Sequence, residues 1–395
     1  MEQPAKPQSP GKKPRLFSYR IRKSPYYEAT QQYGCKSYTP YNNMYLPLVY
    51  EDLLSDYWHL KNEVALWDVG CQRQVEITGP DAFMFLRHLT PRKLTNFQVG
   101  QCYYLPLTTQ EGGILNDPVA LRLGENHFWL SVADREIRIW AKGVAAGLKM
   151  QVDIQEPDVS PLAVQGPKSF DVVADLFGDW VRKLKYFWFK ETELYGIPLV
   201  LSRTGWSKQG GYELFLRDGR YGDQLWEIVM EAGENYNIKP GTPCWIERIE
   251  SGLLNYWEDV TEATNPYEVG LGKFVDLDQD VDFIGKEALK KIKAEGIKRK
   301  LVGLILHTEP LNQSAEFWTI ESDGQTVGTI TSAVYSPDLK KNIAYGLVRI
   351  ECSDLGTTLL VDLGEKKVNA TVTALPFIDN REKYLAGLLG NHRQV

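Results

Sequence analysis

Gln74-Val75-Glu76-Ile77-Thr78-Gly79-Pro80-Asp81 and Leu162-Ala163-Val164-Gln165-Gly166-Pro167-Lys168-Ser169 share one grammar. In each, a short strand-like run meets Gly-Pro, and apolar residues then recur at helical spacing, over 81–89 and 169–176. Glycine permits the turn and proline stops the strand. The repetition implies two related subdomains.

Around the first turn, strands are expected at 65–69, 74–78, 103–107, 118–123, 128–132 and 152–156, with helices over 50–63 and 137–148. The turn-formers Gly112-Gly113 and Gly124-Glu125-Asn126 suggest an antiparallel meander. Around the second, strands are expected at 162–165, 187–194, 199–202 and 212–216, and a helix over 222–235. Helix and strand alternate irregularly with hairpins among them, which indicates an α+β fold and not a doubly wound parallel sheet.

Six short strand signals at regular spacing, 301–306, 317–321, 325–332, 343–348, 357–362 and 367–374, predict a small all-β barrel or sandwich. A charged amphipathic helix over 284–295, with Gly296 as terminator, joins it to the rest. The expected organisation is a disordered tail at 1–17, an interleaved α+β region at 18–285, a linker helix at 286–300, a β-barrel at 301–378 and a tail at 379–395. The stretch 18–47 is dense in tyrosine, punctuated by Pro25, Pro40 and Pro47, and reads as an ordered but irregular arm.

The 395 residues suffice for two or three domains, each with its own core. Forty-five basic and fifty-one acidic residues leave a net charge of -6, and the only basic block is Gly11-Lys12-Lys13-Pro14-Arg15. That argues against nucleic acid, whose binding needs dense phosphate neutralisation. No apolar run has the ~20 residues of a membrane span, so a soluble, cytoplasmic protein is expected. Cys35, Cys71, Cys102, Cys244 and Cys352 are odd in number, widely separated and free of CxxC spacing. They read as reduced, mostly buried thiols, and no metal site is expected.

Three segments concentrate polar chemistry. Gly112-Gly113-Ile114-Leu115-Asn116-Asp117-Pro118 puts an amide and a carboxylate at a tight hairpin, where either could equally cap the turn. Arg203-Thr204-Gly205-Trp206-Ser207-Lys208-Gln209-Gly210-Gly211-Tyr212-Glu213 gathers an aromatic, an amine, an amide and a carboxylate among glycines, a loop able to present a stacking surface and hydrogen-bonding groups to one ligand. A helix over 246–256 carries Glu247, Arg248 and Glu250, and an exposed helix with a salt bridge accounts for it as well.

In sequence order, these segments with Tyr104, Asn265-Pro266-Tyr267-Glu268-Val269-Gly270-Leu271 and Asp282-Phe283-Ile284-Gly285-Lys286-Glu287 resemble the aminomethyltransferase (glycine cleavage T-protein) family over about 19–378. Trp67-Asp68-Val69, Cys71-Gln72-Arg73-Gln74-Val75-Glu76-Ile77, Cys102-Tyr103-Tyr104, Leu115-Asn116-Asp117-Pro118-Val119 and Glu156-Pro157-Asp158-Val159-Ser160-Pro161-Leu162-Ala163 are similar to the branch that demethylates dimethylsulfoniopropionate. The resemblance implies a three-domain cloverleaf-like architecture with tetrahydrofolate, the methyl acceptor, in a central cavity.

It further implies a pterin held by Glu213 and Tyr104, with Asn116, Asp117 and Tyr256 beside the cofactor and Arg248 meeting folate carboxylates. Asp117 would orient the reactants and take the N5 proton. Aromatic faces suit a sulfonium cation, which makes Trp206, Tyr41 and Tyr45 candidates for the donor. Lys208 or Arg20 would meet its carboxylate. Two features depart from the family: Asn116-Asp117 stands where the T-protein usually has two acidic residues, and Trp257 follows Tyr256 where a glycine is usual, which makes Trp257 a further donor-pocket candidate. The partners implied are small molecules, with the chain a monomer or homodimer. The competing readings are a tetrahydrofolate-dependent enzyme acting on another sulfonium, a methylated amine or a methoxylated aromatic, and a folate-binding iron-sulfur assembly factor. The last usually carries a cysteine before its loop tyrosine, whereas this chain has Gly210-Gly211-Tyr212.

Overall fold

The computed structural model describes residues 20–311 and 317–380. The tail expected at 1–17 and residues 381–395 of the C-terminal one lie outside these. A six-stranded sheet runs in the order Phe189–Leu194, Ile197–Ser202, Gly211–Leu216, Ser160–Gln165, Val64–Asp68 and Ile238–Gly241. Only its last pair is parallel. A five-stranded antiparallel sheet runs Asp153–Gln155, Gln74–Thr78, His127–Ser131, Val119–Gly124 and Cys102–Tyr104.

Val64–Asp68 and Gln74–Thr78 are neighbours in sequence but belong to different sheets, so the two α+β subdomains interleave. The two Gly-Pro turns do the same work in each. Gly79 and Gly166 sit at φ 117° and 114°, and a Cβ there would lie 2.6 Å from the Gln151 carbonyl oxygen and 2.5 Å from that of Glu63. Only glycine lets the strand turn this closely against backbone before the helices Ala82–Leu89 and Ser169–Phe177 begin.

Six strands, Arg299–Leu306, Lys341–Arg349, Gln325–Ser336, Thr319–Ser322, Thr358–Asp362 and Lys367–Thr373, close into a barrel in that order. Period-two alternation fills it: Val368, Ala370 and Val372 point inward and are buried. The helix Lys286–Glu295 leads into it and ends at Gly296. No described helix is long and apolar enough to cross a membrane.

The structure corrects two expectations. The tyrosine-rich arm is regular, a helix Tyr27–Gln32 followed by the hairpin Ser37–Tyr41 with Met44–Val49. Its turn, Asn42-Asn43, has both residues left-handed at φ 49° and 58°, the backbone of a tight hairpin that asparagine tolerates better than most residues. The expected exposed helix over 246–256 is instead a six-residue helix, Trp245–Glu250, whose residues from Ile246 onward are all buried. It lies where the three units meet. The barrel's Tyr345 hydroxyl donates to the Ile249 carbonyl at 2.9 Å. Glu250 accepts from Tyr57 at 2.8 Å, Lys61 at 3.1 Å and Ser336 at 2.6 Å.

Candidate active site

Asp117 follows a hairpin, Leu107–Thr108 with Ile114–Asn116, that closes on the 255–265 loop. At Gly113 a Cβ would lie 1.8 Å from the Glu262 carbonyl oxygen, so any larger residue would push hairpin and loop apart. The Tyr104 hydroxyl, on the neighbouring strand Cys102–Tyr104, donates to Asp117 Oδ2 at 2.9 Å. Burial pushes the Asp117 carboxyl up to about 7, and the Tyr104 hydrogen bond holds it from going higher. Burial raises the phenols of Tyr41 and Tyr256, and the Asp117 charge adds to both. The Phe274 ring stands 5.4 Å from that of Tyr104.

The strand bearing Tyr104 also reaches the second carboxylate. Cys102 Sγ is 3.3 Å from Ser202 Oγ, which is 2.8 Å from Thr204 Oγ1. The Thr204 hydroxyl in turn donates to Glu213 Oε2. Residues two apart on a strand share a face and are ~7 Å apart. Asp117 and, through the Ser202–Thr204 relay, Glu213 are therefore both linked to one face of one strand. Glu213 is buried, its carboxyl raised by desolvation and lowered by Thr204. Among the described residues its Oε1 makes no hydrogen bond.

The 203–213 loop is pinned from beneath. Ser207 donates to Gln165 Oε1 at 2.8 Å. Glu247 Oε1 accepts from the Lys208 amide at 2.9 Å, Gln209 Nε2 at 3.0 Å and Ser251 Oγ at 2.6 Å. Trp206 and Lys208 are thereby held half-buried, with Gly205, on a loop whose other residues are buried. Tyr256 is buried, its hydroxyl donating to the Ile114 carbonyl at 3.2 Å and accepting from Arg135 Nη1 at 3.2 Å.

Three expected ligand contacts are engaged elsewhere. Arg248 is wholly buried, paired with Asp259, donating to Ser332 Oγ at 2.7 Å and stacked 3.9 Å over the Trp245 ring. It ties helix to barrel, and its side chain has no exposed surface to offer a ligand. The Asn116 side chain donates to the Ala133 carbonyl at 3.2 Å and accepts from the Ala133 amide at 3.1 Å, fixing the next loop. Tyr45 points away: opposite pairs in the hairpin are Tyr41 with Met44 and Pro40 with Tyr45, so Tyr41 and Tyr45 lie on opposite faces. The Tyr45 ring packs tilted against Tyr27 and edge-on against Tyr38, with centroids 5.3 and 5.9 Å apart.

Trp257 is 49% exposed at the rim, its indole donating to the Asp134 carbonyl at 2.6 Å. Sequence reasoning missed Phe274, Lys273, Asp134 and Glu258. Glu258 is pushed up to about 7, chiefly by burial, with Arg248 opposing the shift and Asp259 and Asp134 adding to it. Asp134 and Glu258 lie in loops, and Lys273 and Phe274 in the short helical turn Gly272–Phe274, whose courses no local pattern announces.

The interleaved sheets and the barrel are those of a known group. Residues 26–279 match the GCVT N-terminal domain and residues 299–379 the glycine cleavage T-protein C-terminal barrel domain. The chain belongs to the glycine cleavage T-protein family. The dimethylsulfoniopropionate demethylase of Ruegeria pomeroyi is 43% identical over 332 residues, 84% of this chain and 90% of that one. An aminomethyltransferase of Desulfitobacterium hafniense is 31% identical over 359 residues, 89% of this chain and 96% of its own. The crystal structure of aminomethyltransferase T from Bartonella henselae superposes with a TM-score of 0.82 at 24% identity, over 91% of this chain and 99% of that one, which shares the fold.

Proposed function

We propose that the chain is a tetrahydrofolate-dependent demethylase that moves a methyl group from dimethylsulfoniopropionate to N5 of tetrahydrofolate, giving 5-methyltetrahydrofolate and 3-methylmercaptopropionate. The observation that carries this reading is the pair of carboxylates, Glu213 buried and Asp117 half-buried, tied to one strand face beside aromatic rings. The 43% identity to the Ruegeria demethylase supports the choice of donor. Tetrahydrofolate, when bound, supplies the nucleophilic nitrogen.

The residues fit such a ligand. Glu213, with an open Oε1, accepts hydrogen bonds of the kind an amino-pyrimidinone edge donates. Tyr104 and Phe274 provide ring faces, and Asp117 takes up a proton at its carboxyl near neutral pH. Trp206 and Tyr41 supply aromatic surface for a sulfonium, each contact worth ~0.5 to 2 kcal/mol when desolvated. The rest is alignment and exclusion of water, worth ~7 to 11 kcal/mol in well-oriented reactions. No acid is needed for the leaving group, since the bond to sulfur breaks with its electron pair and releases a neutral thioether. The reading places the enzyme in the cytoplasm, as a monomer or homodimer, a reducing setting that suits five free cysteines.

Anaerobic incubation of the pure protein with tetrahydrofolate and dimethylsulfoniopropionate, followed by assay of both products, tests it. Equimolar 5-methyltetrahydrofolate and 3-methylmercaptopropionate are expected. Folate binding without turnover moves the donor elsewhere.

A further inference from the structure

Gln165 ends the strand Ser160–Gln165, opposite Gly211 of the antiparallel neighbour, and its buried side chain lies against the glycine-rich 203–213 loop. Three hydrogen bonds hold the carboxamide there. Oε1 accepts from Ser207 Oγ at 2.8 Å, while Nε2 donates to the carbonyls of Thr204 and Tyr212, each at 3.3 Å. Carbonyl oxygens only accept, so the nitrogen must face them and the amide has a single orientation. Both ends of the loop leave room for it. A Cβ at Gly205 would lie 2.2 Å from Nε2, and a Cβ at Gly211 would lie 2.5 Å from the same atom.

The partners give the amide its meaning. Thr204 and Ser207 flank Gly205-Trp206, and Tyr212 immediately precedes Glu213. The Thr204 hydroxyl in turn donates to Glu213 Oε2. One carboxamide therefore fixes the chain on both sides of the Trp206 surface and the chain that carries the Glu213 carboxylate. An apolar side chain of similar bulk fills the same space but loses all three bonds. A carboxylate turns lone pairs toward two carbonyl oxygens, whereas a neutral carboxyl keeps one O–H to donate.

We propose that Gln165 is a positioning residue whose amide polarity sets Trp206 and Glu213 in register, so that the methyl donor and the folate are presented to one another by one loop conformation. It acts through Thr204, Ser207 and Tyr212. The inference rests on the demethylase reading for the part played by Trp206, while its folate half stands on Glu213 alone.

The test uses the full chain as wild type, Gln165→Met and Gln165→Glu, with thermal melts at each pH to verify folding. Tetrahydrofolate binding is measured anaerobically by calorimetry from about pH 5 to pH 9, a range that brackets a carboxyl raised by burial. Each variant's affinity is divided by that of wild type at the same pH. This needs no turnover, so it reads the loop even if dimethylsulfoniopropionate is not the donor. Gln165→Met should bind about 10-fold more weakly at every pH. Gln165→Glu should lose little at the acid end, where the neutral carboxyl still donates, and about 10-fold or more at the alkaline end. With dimethylsulfoniopropionate and tetrahydrofolate both saturating, its kcat at the alkaline end should fall by about 100-fold, since a small misplacement costs the reaction more than it costs binding. A Gln165→Glu affinity ratio that stays flat across the range shows that bulk alone sets the loop and overturns the proposal. So do folded variants that bind tetrahydrofolate within twofold of wild type throughout, and so does a kcat unchanged at saturation while the affinity titrates.

Discussion

At Asp117 two effects oppose each other, burial raising the carboxyl to about 7 and the Tyr104 hydrogen bond lowering it. If the ionised form accepts the proton, kcat/KM should rise with pH along a limb centred near 7. Tyr104→Phe removes the lowering contribution, so the limb should move to higher pH; a limb that stays or moves down would sink this account. Asp117→Asn should lower turnover by ~10² to 10⁴. The same residue sets a stability term of definite sign. Its folded value, about 7, lies above the ~3.9 of an unfolded aspartate. Folding therefore takes up a proton between those values, and stability falls as pH rises through that window. Asp117→Asn removes the penalty, so its melting temperature should exceed wild type at pH 8 by a few degrees, with the gain shrinking toward pH 4.

The loop after Tyr256 shows an element bent to fit one side chain. Trp257 sits at φ 79°, a left-handed conformation that a glycine adopts freely. Trp257→Gly relieves ~1 to 2 kcal/mol of strain, but it loses the 2.6 Å bond to the Asp134 carbonyl and the Arg135 contact over the ring, together of similar size. Stability should change by less than ~1 kcal/mol, while KM for dimethylsulfoniopropionate rises relative to that for bulkier sulfoniums; an unchanged KM ratio would remove Trp257 from the donor pocket. The elements themselves were legible where pattern is local. The barrel strands and the two Gly-Pro turns follow from alternation and turn chemistry. The arm hairpin was missed because Asn42-Asn43 is a weaker turn signal than Asn-Gly. The helix Trp245–Glu250 was misjudged because three of its six residues are charged, and charge reads as exposure unless the partners Tyr57, Lys61, Asp259 and Ser336 are known to converge on it. The same blindness to distant partners made Arg248 look like a ligand and left Glu258, Phe274 and Lys273 unnoticed.

Over the whole molecule, that buried helix is the joint through which the barrel acts on the site. Its Arg248 is held by Asp259, which also accepts from Thr331 and Ser332 of the barrel, each at 2.7 Å. The adjacent Glu247 holds the Lys208 and Gln209 end of the glycine-rich loop. Removing one member of a buried pair strands the other charge, typically at ~3 to 5 kcal/mol, whereas replacing both with apolar residues of similar volume is often close to neutral. Asp259→Ala should therefore lower the unfolding free energy in urea by about that amount, and the double variant Arg248→Met with Asp259→Leu should recover much of it. If the helix couples barrel to loop, Asp259→Ala should also weaken tetrahydrofolate binding, although Arg248 and Asp259 are wholly buried. The double variant decides between two causes: stability restored with affinity still low means the polar joint positions the Lys208 loop, while recovery of both means that packing alone sets its place.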